Sequence, residues 1–384
     1  MEARVVDNHQ AADRLRILAI FFTQSVVGAM LYMRMPDLQE RAGLSSGELG
    51  GVLMGGPIGA LMTYMVAARM VEALGTRAVI FWTCIVTAFT ASFVTLPTGP
   101  VLMFIVLMVN GAVSSIANIA INVEADRIEA GTRARIMNRC HGVWSIGYFL
   151  SSSIAGVLRG VGFDPVIHLW VLLPIYSVLV AAVVLPMTEY APRAHTGSLL
   201  KRKFVMPTLA VCILVAFGLG AQLLEGASRV WATIYIRDAF DVLPIIQSAA
   251  PPALVLTMAA GRLFADGWID RHGPRNVAAL SLVVALCGML LLVLAPNAYV
   301  AIAGFAVAGL GAGVIYPLML SSAARLGDRP ASENVASLTL IIQLVMLVSP
   351  MVIGIVAEHF GIRVAFGILI PLLAFGLLVA RKIT

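Results

Sequence analysis

The stretch Gly261-Arg-Leu-Phe-Ala-Asp-Gly-Trp-Ile-Asp-Arg-His-Gly-Pro-Arg275 lies between two long apolar runs and carries three arginines and two aspartates. Gly273 and Pro274 break the chain sharply, because glycine and proline together favour a turn. The sequence therefore predicts a tight, charged turn that joins two helices.

This turn has a weaker copy in the first half of the chain. Glu72-Ala-Leu-Gly-Thr-Arg77 parallels Asp270-Arg-His-Gly-Pro-Arg275 at an offset of 198 residues. The same offset relates three further pairs, namely Gly111 and Gly309, Arg127 and Arg325, and Gly156 and Gly354. A constant offset across separate helical regions indicates that one half is written twice, and duplicated halves around a central site are typical of secondary transporters.

Composition places the chain in a membrane. Of its 384 residues 60% are hydrophobic and only 12% are charged, and the mean hydropathy is +0.94, whereas soluble domains carry about a quarter charged residues. The apolar runs are about 20 residues long, which suits membrane-spanning helices rather than the shorter strands of a barrel. A net charge of +6 does not predict nucleic-acid binding, because the basic residues fall in alternate connections between the runs.

Twelve apolar segments predict an all-α membrane protein of two six-helix bundles. We expect an N-terminal bundle in residues 1–187, a cytoplasmic linker in residues 188–204 and a C-terminal bundle in residues 205–384. The predicted spans are 15–36, 47–71, 78–96, 101–124, 140–160, 166–187, 205–235, 243–265, 276–295, 298–322, 333–357 and 361–381.

Orientation follows from the distribution of Lys and Arg, which concentrate on the cytoplasmic side. With the N-terminus inside, most of the 26 basic residues, Arg262 included, fall in inner connections or termini. Arg34, Arg41, Arg159, Arg237 and Arg363 remain outside, with Arg34 expected to extend to the outer interface. Both termini are therefore predicted to be cytoplasmic, and the first apolar run shows no cleavage site of a signal peptide.

Glu225 is the only carboxylate that the sequence places well inside a predicted span. A charge there is costly unless it is paired, so an acid in the membrane is a candidate functional residue. Gln222 and Arg229 lie on the same helical face. Two hypotheses remain open: Glu225 binds a proton or the solute, or Glu225 and Arg229 form a structural pair one turn apart.

Polar residues also mark the predicted spans of the first half. Ser114, Asn118 and Asn122 recur at four-residue spacing, and they either line a solute pathway or hydrogen-bond neighbouring helices. His141, Trp144, Tyr148 and Ser152 share one face, which suits the stacking of a small organic solute. Packing and a proton relay remain alternatives for His141. The predicted cavity residues are Gln24, Asn118, Trp144, Tyr148, Gln222, Glu225, Arg229, Tyr316 and Gln343.

Small and sulfur-containing residues predict packing rather than chemistry. Gly51, Gly55 and Gly59 form a ridge that lets another helix approach closely. The four cysteines and the methionines have no spacing typical of a metal site. The sequence also contains no nucleotide-binding loop, zinc motif or nucleophile elbow, so we expect no metal, no cofactor and no enzymatic activity.

The twelve segments, the linker and the turn Asp270-Arg-x-Gly-x-Arg275 resemble the major facilitator superfamily over the whole chain. This resemblance implies alternating access around a cavity lined by helices 1, 4, 5, 7, 10 and 11, and a cytoplasmic gate at the charged turns. In the first-half copy, Glu72 and Ala73 replace the Asp and Arg of the motif. The gate residues that it implies are Glu72, Arg77, Glu124, Arg127, Asp266, Asp270, Arg271 and Arg275.

Finer motifs resemble the YbjJ-like branch of bacterial inner-membrane members. They are Arg34-x-Pro36, Asn118-x-x-x-Asn-Val-Glu124, His141-Gly-Val-Trp-Ser145, Glu225-Gly-Ala followed by Trp231 and Tyr235, and Gly309-x-Gly with Pro317. The helix 5 motif that marks drug/proton antiporters is missing, since this segment reads Tyr148-Phe-Leu-Ser-Ser-Ser-Ile-Ala-Gly156.

The sequence thus predicts a transporter in the bacterial inner membrane. Its partners would be a small polar organic solute, the lipid bilayer and a proton bound by Glu225, with symport favoured and a monomeric chain expected. A proton-antiport exporter of drugs or metabolites is the alternative. A non-transporting receptor or scaffold is disfavoured, since it would explain neither the duplicated halves nor the buried acid.

Overall fold

The computed structural model describes residues 2–132, 136–188, 190 and 206–380, without the side chains of residues 2–10, 64, 65, 138, 266 and 332. These residues form helices and their connections. The helices are α1 Glu2–Met33, α2 Met35–Arg41, α3 Ser46–Leu53, α4 Gly55–Leu74, α5 Thr76–Phe93, α6 Pro100–Thr132, α7 Met137–Gly160, α8 Pro165–Val184, α9 Leu209–Ala239, α10 Pro244–Gln247, α11 Ala250–His272, α12 Pro274–Val293, α13 Ala298–Ala312, α14 Ile315–Ala324, α15 Ala331–Phe360, α16 Ile362–Gly367 and α17 Leu369–Ala380.

Helices cover all twelve predicted segments, and the predicted all-helical membrane class is confirmed. Within the described residues, nine helical stretches are long and apolar enough to cross a membrane, and a tenth crossing is a pair bent by 58° at residues 46–74. The remaining long helices, α7 of 24 residues and α11 of 23 residues, do not meet this criterion. Both carry polar residues that the sequence marks as functional.

The two halves repeat their local structure at the predicted offset. Gly75 and Gly273, 198 residues apart, have φ of 79° and 80° with ψ of 152° and 153°. This backbone conformation is accessible essentially only to glycine, which has no Cβ. Glycine is therefore required in each half of the chain at the turn into the next helix. The helices that follow begin at Thr76 and Pro274, again 198 residues apart.

Contacts divide the chain into two compact units. The first contains residues 1–43, 52–158 and 162–202, and the second contains residues 44–51, 159–161 and 203–384. Two short segments from the first half of the chain therefore belong to the second unit. The linker proposed for residues 188–204 lies almost entirely outside the described residues, and its boundaries stay a prediction.

Close helix packing in the first unit depends on glycines of α4. A Cβ at Gly55 or Gly59 would collide with the backbone carbonyl of Phe104 or Met108 on α6. The predicted ridge is therefore confirmed for these two positions. It is wrong for Gly51, which has nothing within 4 Å of its ideal Cβ position.

Two arginines that are predicted to lie on the outer side of the membrane are buried within the protein. Arg34 is 1% exposed; its guanidinium contacts Asp37 at 3.0 Å and donates to Nδ1 of His168 at 3.0 Å. Arg159 is 7% exposed and donates to Oε1 of Gln247 in the second unit at 2.8 Å. Their partners lie on neighbouring segments, which a count of charges along the chain does not register, and the side of the membrane on which they lie stays a prediction.

Candidate functional site

Glu225 lies halfway along the 31 residues of α9, in the second unit. This helix begins at a capped end, because the Thr208 side chain accepts a hydrogen bond from the backbone N–H of Val211. Glu225 Oε1 accepts a hydrogen bond of 2.7 Å from Arg229, one turn later. The pair expected from the spacing of these two residues is therefore present.

A second arginine completes the cluster. Arg262, halfway along α11, donates from Nη2 to Glu225 Oε2 at 3.3 Å. The distribution of basic residues predicts Arg262 at the inner end of its span, because the predicted span ends only three residues later, at residue 265. The structure begins α11 at Ala250 and continues it to His272, which moves Arg262 into the middle of the helix.

Proline chemistry explains how Arg262 is held. The span at residues 298–324 is interrupted between α13 and α14, and the carbonyl of Gly313 lies at this break. In a continuous helix that carbonyl would accept the N–H of residue 317, but residue 317 is proline, which has none. Arg262 Nε donates to the Gly313 carbonyl at 2.9 Å instead. The proline thus creates an acceptor that fixes one edge of the guanidinium.

We call Glu225, Arg229 and Arg262 the Glu225 cluster. Its three side chains differ in how much of their surface is exposed. The arginine side chains are 39% and 38% exposed, whereas the Glu225 side chain is 16% exposed. The carboxylate is therefore enclosed behind the two guanidinium groups. A guanidinium halfway through a membrane is strongly disfavoured against hydrocarbon, so its exposed surface belongs on a water-accessible side of the unit.

Other predicted residues of the second unit differ in their relation to the cluster. Gln222, one turn before Glu225, is 8% exposed, and its Nε2 has no hydrogen-bond partner among the described residues. Tyr316 lies next to Thr339 and close enough to Glu225 for an electrostatic interaction. Gln343 is exposed and forms no hydrogen bond within the described part of the chain. The side chain of Asp266 is outside the described residues.

The first unit brings together another part of the predicted set. Trp144 Nε1 on α7 donates to Oε1 of Gln24 on α1 at 2.6 Å, and the rings of Trp144 and Tyr148 stack at 5.5 Å with 27° between their planes. Asn118 is exposed and accepts a 2.6 Å hydrogen bond from Asn122 one turn later. Gln24 and Trp144 are half-buried and offer polar and aromatic groups that suit a small organic solute, whereas Tyr148 is only 4% exposed.

Two of the four predicted gate residues of the first half have local partners in the structure. Thr76, the first residue of α5, donates to Oε2 of Glu124, which is 2% exposed. Arg77 donates to the backbone carbonyl of Met187 at 3.3 Å. Glu72 is exposed and Arg127 is half-buried, and neither forms an ion pair among the described side chains.

The gate residues of the second half are less constrained. Asp270, Arg271 and Arg275 are exposed, and no ion pair joins any of them to another described side chain. A gate role for these residues stays a prediction, because a latch would engage in only one conformational state.

Sequence reasoning missed one buried acid in the N-terminal part of α1. Asp13 on α1 is 0% exposed. Its carboxylate contacts Arg16 at 2.9 Å and accepts a 3.2 Å hydrogen bond from the Tyr190 hydroxyl. Burial, followed by the charge of Asp13, raises the pKa of Tyr190 to about 12. No signal in the sequence pairs these positions, which are 177 residues apart.

Comparisons with known proteins agree with this architecture. The model of the Major Facilitator Superfamily matches residues 223–383. The chain is 25% identical to an uncharacterised MFS-type transporter of Yersinia pestis, with 91% of this chain and 90% of the relative covered. It is 26% identical to the membrane protein MosC of Rhizobium meliloti, with 96% and 89% covered.

Solved structures give the same fold. The structure of a mutant of the nucleoside transporter NupG has a TM-score of 0.76 at 14% identity and covers 96% of this chain and 98% of that one. A D-xylose-proton symporter has a TM-score of 0.76 at 12% identity, with 97% of each chain covered. At such low identity the likeness concerns the fold and not the transported compound.

Proposed function

We propose that this chain belongs to the major facilitator superfamily and is a secondary transporter rather than an enzyme, and that it carries a small polar organic solute by alternating access, coupled to a proton through Glu225. The Glu225 cluster carries this proposal. It places an acid from the middle of α9, a helix long and apolar enough to cross a membrane, beside two guanidinium groups, and charged residues inside such helices are rare and mark ion or substrate pathways.

The cluster favours a coupling role over a purely structural pair. A structural pair needs one cation for one anion, whereas Glu225 contacts two arginines that both retain exposed surface. Loss of the Glu225 charge would weaken the ion pairs of Arg229 on α9 and of Arg262 on α11 at the same time. Binding and release of a proton at Glu225 would thus change what the arginines contact.

We further propose the placement within the YbjJ-like branch, in the bacterial inner membrane with both termini cytoplasmic, and the gate at the charged turns. The motifs quoted above support the branch. The concentration of Lys and Arg in alternate connections supports the orientation.

Solute flux in proteoliposomes tests the proposed function. Wild-type protein should accumulate a solute under an imposed pH gradient, and Glu225→Gln should lose this uptake while retaining solute exchange at equal pH, because exchange needs no net proton movement. Uptake by Glu225→Gln at the wild-type level would remove Glu225 from coupling. Solute leaving against the direction of proton entry would favour the antiport exporter.

A further inference from the structure

The Glu225 cluster also carries information about the chemistry of the solute. We infer that the solute is an organic anion and that its carboxylate binds to Arg229 and Arg262. The inference rests on the proposed transport function, because it specifies the compound that the same site would accept.

The first argument concerns which side of the cluster is accessible. The arginine side chains expose 39% and 38% of their surface, and the carboxylate between them exposes 16%. A solute that approaches the cluster therefore meets guanidinium groups before it meets the acid. Guanidinium groups bind carboxylates strongly, since parallel N–H donors match the two oxygens.

The second argument concerns the free donors. Arg262 uses Nε for the Gly313 carbonyl and Nη2 for Glu225, and its Nη1 has no partner among the described residues. The two bonds hold the guanidinium in one orientation, which reduces the entropy lost when a solute binds. The buried amide of Gln222, one turn from Glu225, has a further unpartnered donor.

The third argument is a charge balance between proton and solute. When a proton neutralises Glu225, Arg229 and Arg262 lose the negative charge of the carboxylate to which both donate. A carboxylate of the solute replaces it, so one positive charge and one negative charge have entered the cluster and its total charge is unchanged. The cluster therefore binds the proton and the anion together, and it carries them as an electroneutral pair.

Matched acid and amide probes test this inference. Purified wild-type protein is heated with lactate and lactamide, benzoate and benzamide, nicotinate and nicotinamide, and glucuronate and glucuronamide, because a ligand that binds the folded state raises its unfolding temperature. At least one acid should raise this temperature, and its amide should not. Stabilisation by the amide to the same extent, or by none of the acids, overturns the inference.

Variants locate the binding. Arg262→Lys keeps the positive charge, but an ammonium group has no parallel N–H donors for a carboxylate. It also cannot hold the Gly313 carbonyl and Glu225 while it binds the solute. The Kd of this variant for the acid should therefore rise about 10- to 100-fold. Arg325→Gln removes an exposed arginine of the same unit and should leave the Kd unchanged. An equal loss in both variants, or in neither, would overturn the assignment to the cluster.

Flux measurements separate this inference from the function on which it rests. With the acid that binds, a pH gradient should drive uptake into proteoliposomes, and a potassium diffusion potential set by valinomycin should not. Uptake driven by the potential refutes the paired entry of proton and anion. Transport of a neutral solute would contradict the inference that the solute is an anion but would still support the proposed transport function. Binding of the acid without any flux would contradict the transport function itself.

Discussion

Pro317→Ala should release Arg262 from the Gly313 carbonyl without a change in any charged residue. The substitution restores an N–H at residue 317, four positions after Gly313, where the ordinary helical hydrogen bond would form. This N–H competes with Arg262 Nε, which now holds the carbonyl at 2.9 Å. The guanidinium would then retain only its 3.3 Å contact with Glu225.

Two terms of similar size set the effect on stability. Pro317 is the third residue of α14, where proline costs less than the about 3 kcal/mol of a helix interior, so the substitution regains only part of that amount. A hydrogen bond from a charged donor contributes about 1.5–3 kcal/mol, and that contribution is lost when Arg262 leaves. Because the two terms oppose each other, the free energy of unfolding should change by no more than about 3 kcal/mol, and the main effect should appear at Arg262.

Phenylglyoxal, which modifies accessible guanidinium groups, measures this effect without a known solute. Loss of a contact of about 1.5 kcal/mol corresponds to about a tenfold change in equilibrium. Arg262 should therefore react about tenfold faster in Pro317→Ala than in wild-type protein, as followed by mass spectrometry of the labelled peptide.

Pro174→Ala is the matched control. Pro174 also lies inside a helix, α8 of the first unit, and no described arginine donates to the carbonyl of Trp170, four residues before it. This variant should leave the labelling rate of Arg262 unchanged. An unchanged rate in Pro317→Ala, or an equal increase in both variants, would refute the role assigned to the proline.

Three further predictions concern the turn, the packing and the N-terminal part of α1. Asp270→Asn should leave expression intact and shift cysteine accessibility toward the cytoplasmic side; unchanged labelling together with unchanged transport would exclude the latch. Gly59→Ala should cost about 1–3 kcal/mol in thermal unfolding because a backbone carbonyl occupies its Cβ position, and Gly51→Ala should not; equal effects would contradict this packing. Tyr190→Phe should cost about 1 kcal/mol through loss of its hydrogen bond to Asp13. Because the folded-state pKa of Tyr190 is raised from 10.0 to about 12, the bond's contribution is full below pH 10 and is lost as the pH rises through 12. A difference in stability between Tyr190→Phe and wild-type protein that persists above pH 12 would contradict this predicted pH dependence.

Sequence alone determined the features that depend on local composition and spacing. Long apolar runs require helices in a membrane because backbone groups cannot be hydrated there, so the fold class followed directly. The offset of 198 residues identified the repeat, and only glycine suits the backbone found at Gly75 and Gly273. The pair of Glu225 with Arg229 followed from the four-residue spacing of one helix.

The tertiary structure alone decided which distant side chains meet. Arg262 reaches Glu225 across 37 residues, and Trp144 reaches Gln24 across 120. Such contacts depend on where each helix begins and ends and on how neighbouring helices pack. The predicted span ends at residue 265 and puts Arg262 near a helix end, whereas α11 continues to His272. One signal was present in the sequence, since Pro317 necessarily leaves the Gly313 carbonyl without its helical donor. The identity of the side chain that satisfies this carbonyl is a property of packing between helices, which hydrophobic periodicity does not encode.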